Sequence, residues 1–236
     1  MNAQNDLLQL INVSKSYLSD TETVTPLKEI NMTVCEGQFI AIIGRSGSGK
    51  TTLLNVMAGL DKPTSGEVLL QGEDVALMDE NSLTKIRRSK IGFIFQSFGL
   101  LPLLSAFENV ELPLRISGMD HSQRLEKTNN ALEMVGLLAR SNHRPYELSG
   151  GEQQRVSIAR SIVGSPALIL ADEPTGELDS NNAKSIFGLF KDMVTDQGMS
   201  IIAATHDSSL LSMADEVKEI KNGSLQAAIT DELRYR

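Results

Sequence analysis

Gly44-Arg45-Ser46-Gly47-Ser48-Gly49-Lys50-Thr51 reads G-x-x-x-x-G-K-T, and the rest of the chain is best understood outward from it. The apolar run at 39–43 leads in like a buried strand, and residues 52–58 follow with the apolar face of a helix. Strand, glycine loop and helix form the context in which this spacing binds phosphate. Gly47 and Gly49 carry no Cβ, so the backbone can curl around a phosphate and aim N–H groups at it. The helix start adds partial positive charge on the same side. Lys50 brings a point charge for the β- and γ-phosphates, and the Thr51 hydroxyl is a ligand for Mg²⁺. Thr52 is a second hydroxyl, placed to reach an α-phosphate. A bare glycine turn with a solvated lysine would need neither the strand nor the helix.

Composition narrows the class. A chain of 236 residues with 41% hydrophobic content suits one large domain, or a core with a subdomain. No apolar run approaches the ~18–20 residues of a membrane span. The polar start Met1-Asn2-Ala3-Gln4-Asn5-Asp6 is unlike a secretory signal. Cys35 is the single cysteine, which excludes an internal disulfide and a cysteine-cluster metal site and points to the cytosol. A net charge of −8 argues against nucleic acid as a partner. The basic run at 85–90 reads as a solvated helix end.

Around the glycine loop the pattern alternates strands and helices, which implies a mostly parallel sheet covered on both faces. Strands are expected over 8–13, 27–34, 39–43, 67–70, 91–95, 167–171 and 200–204. A polar turn is expected at 19–23, and a hairpin-like turn at Glu36-Gly37. Asn222-Gly223 should close a final hairpin. Asn81 or Ser82 is a candidate cap for a helix running through Arg88. Between about 97 and 161 helical periodicity takes over, with helices over 106–112, 123–135 and 151–163. That block reads as a helical subdomain inserted into a core made of 1–96 and 162–236.

Two further stretches carry chemistry. Leu168-Ile169-Leu170-Ala171-Asp172-Glu173 sets two carboxylates at the end of a buried strand. Asp172 would hold Mg²⁺, and Glu173 could act as the general base for an attacking water. Leu148-Ser149-Gly150-Gly151-Glu152-Gln153-Gln154-Arg155 is the most specific string in the chain. Ser149 can cap a helix there and leave a second positive helix start. One triphosphate cradle already exists at the glycine loop, so a second anion site suggests completion by another protomer.

In this order the motifs resemble the ATP-binding subunit of an ATP-binding-cassette (ABC) transporter, over the whole length. The signature of that family is similar to Leu148-Ser149-Gly150-Gly151-Glu152. The resemblance implies an α/β fold: a P-loop NTPase (RecA-like) core, an antiparallel β subdomain and the inserted helical subdomain. It implies an ATPase with ATP and Mg²⁺ as ligands. Tyr17 would stack on adenine through its ring alone, and Gly44, Arg45, Ser46, Gly47, Ser48, Gly49, Lys50, Thr51 and Thr52 would hold the phosphates. Thr51, Gln96 and Asp172 would serve the metal. Gln96, Glu173 and His206 would be catalytic, with His206 contacting the γ-phosphate. Ser149, Gly150, Gly151 and Glu152 would reach the γ-phosphate of a partner subunit, and Asp179 would couple the two sites. Glu177 departs mildly from the family pattern, beside that coupling segment.

The segments 55–66 and 91–114 resemble the MacB/LolD-like subfamily, whose members work with FtsX-like permeases. That implies a second copy or a related ATPase subunit as one partner and an integral membrane permease as the other. It places the chain in the cytoplasm, peripheral on the inner face of the membrane. Export, lipoprotein release and antimicrobial-peptide defence are the implied roles. A regulatory ATPase that moves a permease to control a cell-envelope enzyme is the alternative. A soluble DNA-repair or translation ATPase would need a coiled-coil insert or tandem cassettes, and a P-loop kinase would leave 148–154 without a role. The apolar, Gly- and Pro-broken segment after Gln96 suggests a permease contact made by Phe98, Leu100, Leu101 and Phe107.

Overall fold

The computed structural model describes residues 6–18 and 22–228. The expected polar turn at 19–23 lies largely outside them, as does the polar start at 1–5. Two sheets share the strands. The larger has six, in the order β10-β9-β3-β8-β7-β6: β3 (Phe39–Ile43), β6 (Ile91–Ile94), β7 (Leu168–Asp172), β8 (Ser200–Thr205), β9 (Glu216–Lys221) and β10 (Ser224–Ala227). All neighbours in it run parallel except the closing β9–β10 hairpin. The smaller sheet is antiparallel, in the order β2-β1-β4-β5: β1 (Asp6–Leu18), β2 (Thr23–Cys35), β4 (Ser65–Leu70) and β5 (Glu73–Asp74). The turn at Glu36-Gly37 is therefore not a hairpin. It passes the chain from the small sheet to the large one, because β3 pairs with β8 and β9 rather than with β2.

Every residue of β3, β7 and β8 is buried, as in a strand covered on both faces. The period of two sends alternate side chains into different cores. Ile40, Ile42, Leu168, Leu170 and Ile202 join Leu53, Leu54 and Met57 of α1 (Lys50–Met57) and the small sheet. Phe39, Ile169, Ala171 and Ile201 face the other way, onto helices α3 (Ala106–Ile116), α4 (His121–Met134), α5 (Gly150–Ile162) and α6 (Ser180–Gln197). Phe39, Phe187 and Phe190 form the aromatic centre of that second core, with ring centroids 5.7–6.1 Å apart. The helices between Ala106 and Ile162 thus share one apolar cluster with the sheet.

Local signals differ from expectation at several ends. Strand β1 runs on through Tyr17 to Leu18. Helix α2 (Glu80–Ser89) is capped by Asp79, whose carboxylate accepts the Ser82 N–H; Asn81 and Ser82 already lie inside the helix. Helix α3 passes through Pro113 to Ile116, with Val110 and Leu114 fixing its buried face. A partly buried ion pair, Arg124 Nε to Glu111 Oε1 at 2.8 Å, joins α3 to α4.

The far end of the segment after Gln96 is held by the Asn109 side chain. Asn109 is fully buried on α3. Its Oδ1 accepts the Leu101 N–H at 2.8 Å, and its Nδ2 lies 3.0–3.1 Å from the carbonyls of Leu101, Leu104 and Ser105. Replacing it leaves buried loop groups without partners. Asn109→Ala is expected to lower stability by about 2 kcal/mol in urea unfolding. A loss below about 0.5 kcal/mol would show that other contacts hold the loop.

Candidate nucleotide site

The glycine loop follows β3 and enters α1 at Gly49, which sits at φ 107°. A Cβ there would lie 2.7 Å from the Pro26 carbonyl oxygen, so both the turn and the close approach require glycine. At Gly44 a Cβ would lie 2.5 Å from Ser48 Oγ and 2.7 Å from the Ile220 side chain. Helix α1 has no side-chain cap, whereas α2 to α6 are capped by Asp79, Ser105, Asp120, Ser149 and Asp179. Its leading N–H groups and its positive end are left to whatever occupies the adjoining pocket.

That pocket has a volume of about 500 Å³ and is lined by Ser46, Gly47, Gly49, Lys50, Thr51 and Thr52 on one side. Gln96, Glu173 and His206 close the other side, from just beyond the C-terminal ends of β6, β7 and β8, and Pro26 completes the rim. Ligands bind at this edge of a parallel sheet because the strand ends and helix starts converge there. Gly44, Ser48 and Arg45 shape the loop from behind. The Arg45 side chain is exposed, and its carbonyl accepts the Ser48 N–H at 3.1 Å.

Lys50 is buried, at 6% exposure. Its ammonium donates to the Gly44 carbonyl at 2.8 Å and pairs with Glu173 Oε1 at 3.2 Å. The other Glu173 oxygen accepts the His206 backbone N–H at 3.2 Å and lies 2.8 Å from His206 Nδ1. A carboxylate can only accept, so that ring nitrogen carries the proton. Glu173 adopts φ 48°, a left-handed conformation unusual for its type. The Glu173 N–H nevertheless bonds the Ala204 carbonyl at 2.9 Å, which ties this bend to β8. Asp172 is buried beneath it, and burial pushes its carboxyl up from the usual range against a hydrogen bond from the Thr51 hydroxyl. Its Oδ1 has no hydrogen-bond partner. A buried carboxylate oxygen without a donor, beside a hydroxyl at the pocket wall, fits a hard divalent cation such as Mg²⁺. Among the described residues no cluster of three or more His, Cys, Asp or Glu exists, so the phosphates themselves would complete such a site.

Ser149, Gly150, Gly151 and Glu152 do not line this pocket. They open α5 with a reciprocal cap: Ser149 Oγ accepts the Glu152 N–H, and Glu152 Oε2 accepts the Ser149 N–H at 2.9 Å. Glu152 therefore turns its carboxylate back onto the cap and towards Arg140, 3.5 Å away. The outward donors of this helix start are the glycine N–H groups. A Cβ on Gly151 would lie 2.6 Å from Asn182 Oδ1, and Asn182 donates both its backbone and side-chain N–H to Asp179. Asp179 thus caps α6 and braces the glycine turn through Asn182. Tyr17 is not in this lining; its hydroxyl donates to Asp61 at 2.6 Å. Sequence reasoning passed over Pro26, Lys15, Asp61 and Asn182. Asp61 sits in a stretch whose Gly and Pro content signals only a loop, and the others belong to no motif.

A second concavity, of about 430 Å³, lies between α2, β6, α3 and the end of α5. Leu60, Phe93, Phe95, Leu112 and Ile116 give it apolar walls, and Arg87, Arg88 and Arg160 add charge. The four residues expected to form an apolar contact surface are not in its lining. Leu100 and Phe107 pack on the helical core, Phe98 stands beside Gly150, and Leu101 is exposed elsewhere. Asn109 holds the loop there by its backbone and leaves the Leu101 side chain outside.

The ABC transporter family model matches residues 27–176. The lipoprotein-releasing system ATP-binding protein LolD of a Shewanella species is 45% identical over 224 residues, covering 95% of this chain and 97% of that protein. The macrolide export ATP-binding/permease protein MacB of Vibrio parahaemolyticus is 42% identical over 221 residues, covering 94% of this chain and 34% of the longer protein. The ATP-binding cassette MJ0796, solved as a dimer in a post-hydrolysis state with ADP and Pi, superposes with a TM-score of 0.85 at 41% identity, covering 93% of this chain and 98% of that one. Family match, full-length relatives and shared fold agree with the pocket at the uncapped start of α1: the chain belongs to the ABC transporter family, as one of its P-loop ATPase cassettes.

Proposed function

We propose that this cassette hydrolyses MgATP between two head-to-tail subunits and thereby drives a membrane permease. The observation that carries the reading is the division of anion-binding parts. Lys50, the α1 start and Glu173 share one pocket, while the Ser149–Gly151 helix start lies outside it. A second subunit would bring its own Ser149, Gly150 and Gly151 to the γ-phosphate held by the first. Thr51, Gln96 and Asp172 would hold Mg²⁺, which would neutralise charge on the phosphates. Glu173 would take the proton from the attacking water, and His206 would hold that carboxylate in line. Asp179 would couple the two sites through its brace on Gly151. Entry of a γ-phosphate would compete with Glu173 for the Lys50 ammonium and free the carboxylate for water.

The partner is read as an FtsX-like permease, which would place the cassette on the cytoplasmic face of the membrane. Relatives named for lipoprotein release, macrolide export and pyoverdine export support outward movement of cargo. In MacB the ATP-binding and permease functions share one protein by name. The groove at Leu60, Phe95, Leu112 and Ile116 is the surface for the permease contact. Among the described residues no helix is long and apolar enough to cross a membrane.

Glu173→Gln keeps the shape of the base and removes its charge. Hydrolysis is expected to fall by about 10²–10⁴-fold, with ATP binding retained or tightened because Lys50 loses its internal competitor. A parental hydrolysis rate removes Glu173 as base. With MgATP the same variant should double its mass in light scattering, and Ser149→Arg added to it should restore the monomer. A mass that stays monomeric at saturating ATP counts against paired sites. For the groove, Ile116→Glu should leave isolated-subunit ATPase and melting temperature near parental values while co-purification with the permease falls. Normal co-purification would place the contact on another face.

A further inference from the structure

An exposed aromatic ring at a strand end is a poor binding platform unless something holds it, since ordering a free side chain on binding costs affinity. Tyr17 is the penultimate residue of β1 and is 43% exposed. Two contacts fix it, and a third bond ties the groups that make them. Its hydroxyl donates to Asp61 Oδ2 at 2.6 Å, and Lys15, two residues earlier on β1, donates to Asp61 Oδ1 at 2.6 Å. The same ammonium lies over the Tyr17 ring, 4.8 Å from its centroid. Lys15 is anchored again by the Lys62 carbonyl at 2.8 Å. One carboxylate thus holds a cation and a phenol, and the cation covers one face of the phenol ring. A flat ligand stacking on the ring would therefore take the face opposite Lys15.

The loop that carries Asp61 belongs to the phosphate-binding helix. The N–H groups of Leu60 and Asp61 donate to the carbonyl of Asn55 on α1 at 2.9 and 3.2 Å. Thr64, farther along, bonds the Ser14 carbonyl and accepts the Ser16 N–H of β1. The Thr52 hydroxyl, in the pocket lining, stands next to the Tyr17 hydroxyl. Ring and phosphate cradle are therefore joined through α1 as well as along β1. Burial alone would push the Asp61 carboxyl up, but hydrogen bonds from Lys15 and Tyr17 outweigh it and hold it below the usual range.

We propose that Asp61 and Lys15 are positioning residues for nucleotide binding, holding the Tyr17 ring with one face presented at a fixed span from the phosphate loop. This rests on the reading of Tyr17 as the adenine-stacking residue, and it gives the tyrosine hydroxyl a role beyond the ring. Tyr17→Phe, expected from sequence to be silent, should then be defective, because phenylalanine keeps the ring and loses the hold of Asp61.

The test is calorimetric binding of MgATP and of magnesium tripolyphosphate, which has no base, to the full chain and to four variants. Tyr17→Phe and Asp61→Asn should each weaken ATP by about three- to tenfold, the scale of one hydrogen bond. The double variant should be no worse than either single one. Tripolyphosphate should bind all of them at parental strength. Tyr17→Ala decides the premise: if it binds ATP like the parent, the stacking reading fails and the proposal with it. If Tyr17→Ala is weak while Tyr17→Phe and Asp61→Asn are parental, stacking stands and the positioning role is overturned. If Asp61→Asn weakens ATP and tripolyphosphate equally, Asp61 is a clasp for the fold and not for the ring.

Discussion

A buried ammonium at the start of a helix is the constraint on which this molecule turns. Lys50 adds a full positive charge where α1 already presents uncapped N–H groups and the positive end of its dipole. Such a charge out of water needs an anionic partner. The carboxylate of Glu173, 3.2 Å away, supplies one within the chain. A phosphate bound at this helix start would compete with Glu173 for the same cation, so under the proposed function substrate binding and release of the carboxylate would be one electrostatic event. The fold must place these groups from distant parts of the sequence within a hydrogen bond of each other. Adjacent parallel strands do so, because their C-terminal ends share one edge.

The surrounding architecture follows from that need. Strand β7 carries Asp172 and delivers Glu173, so it must be central, and a central strand must be apolar on both faces. Leu168 and Leu170 pack towards α1 while Ile169 and Ala171 pack towards the helices, so the same short strand ties both cores together. Glu173 is then held at φ 48° by its own N–H bond to β8 and by His206. A strained residue persists because several contacts over-determine it.

The parts legible in the sequence were those in which backbone and motif coincide. The glycine loop, the buried strands, the cap at Ser149 and the hairpin turn at Asn222-Gly223 are local patterns, and local forces fix them. What escaped was set by partners far away in sequence. Nothing near Glu36-Gly37 says that the next strand joins another sheet, because β3 is claimed by β8 and β9 from the far end of the chain. Nothing near residue 101 says that the loop backbone is tied to α3, because Asn109 on the following helix decides it. Asp61 is a plain loop aspartate until β1 brings Lys15 and Tyr17 beside it. Gly151 signals a turn, but the need for glycine there comes from Asn182 on another helix.

The loop after Gln96 is where the nucleotide pocket and the groove meet. Its near end contributes Gln96 to the pocket. Its middle is fixed to α5 by the Arg160 guanidinium, which donates to the carbonyls of Gly99 at 2.6 Å and Phe98 at 3.0 Å. Its far end is fixed to α3 by Asn109. Arg160 also lines the groove, beside Leu112 and Ile116 of α3. Ile94, at the end of β6, is locked into the sheet and fully buried. A shift of α3 and α5 against the sheet must then be absorbed between Ile94 and Phe98, and Gln96 is at the centre of that short span. Load applied at the groove would be felt first at Gln96 in the pocket wall, with no contact needed between the groove and a ligand in the pocket.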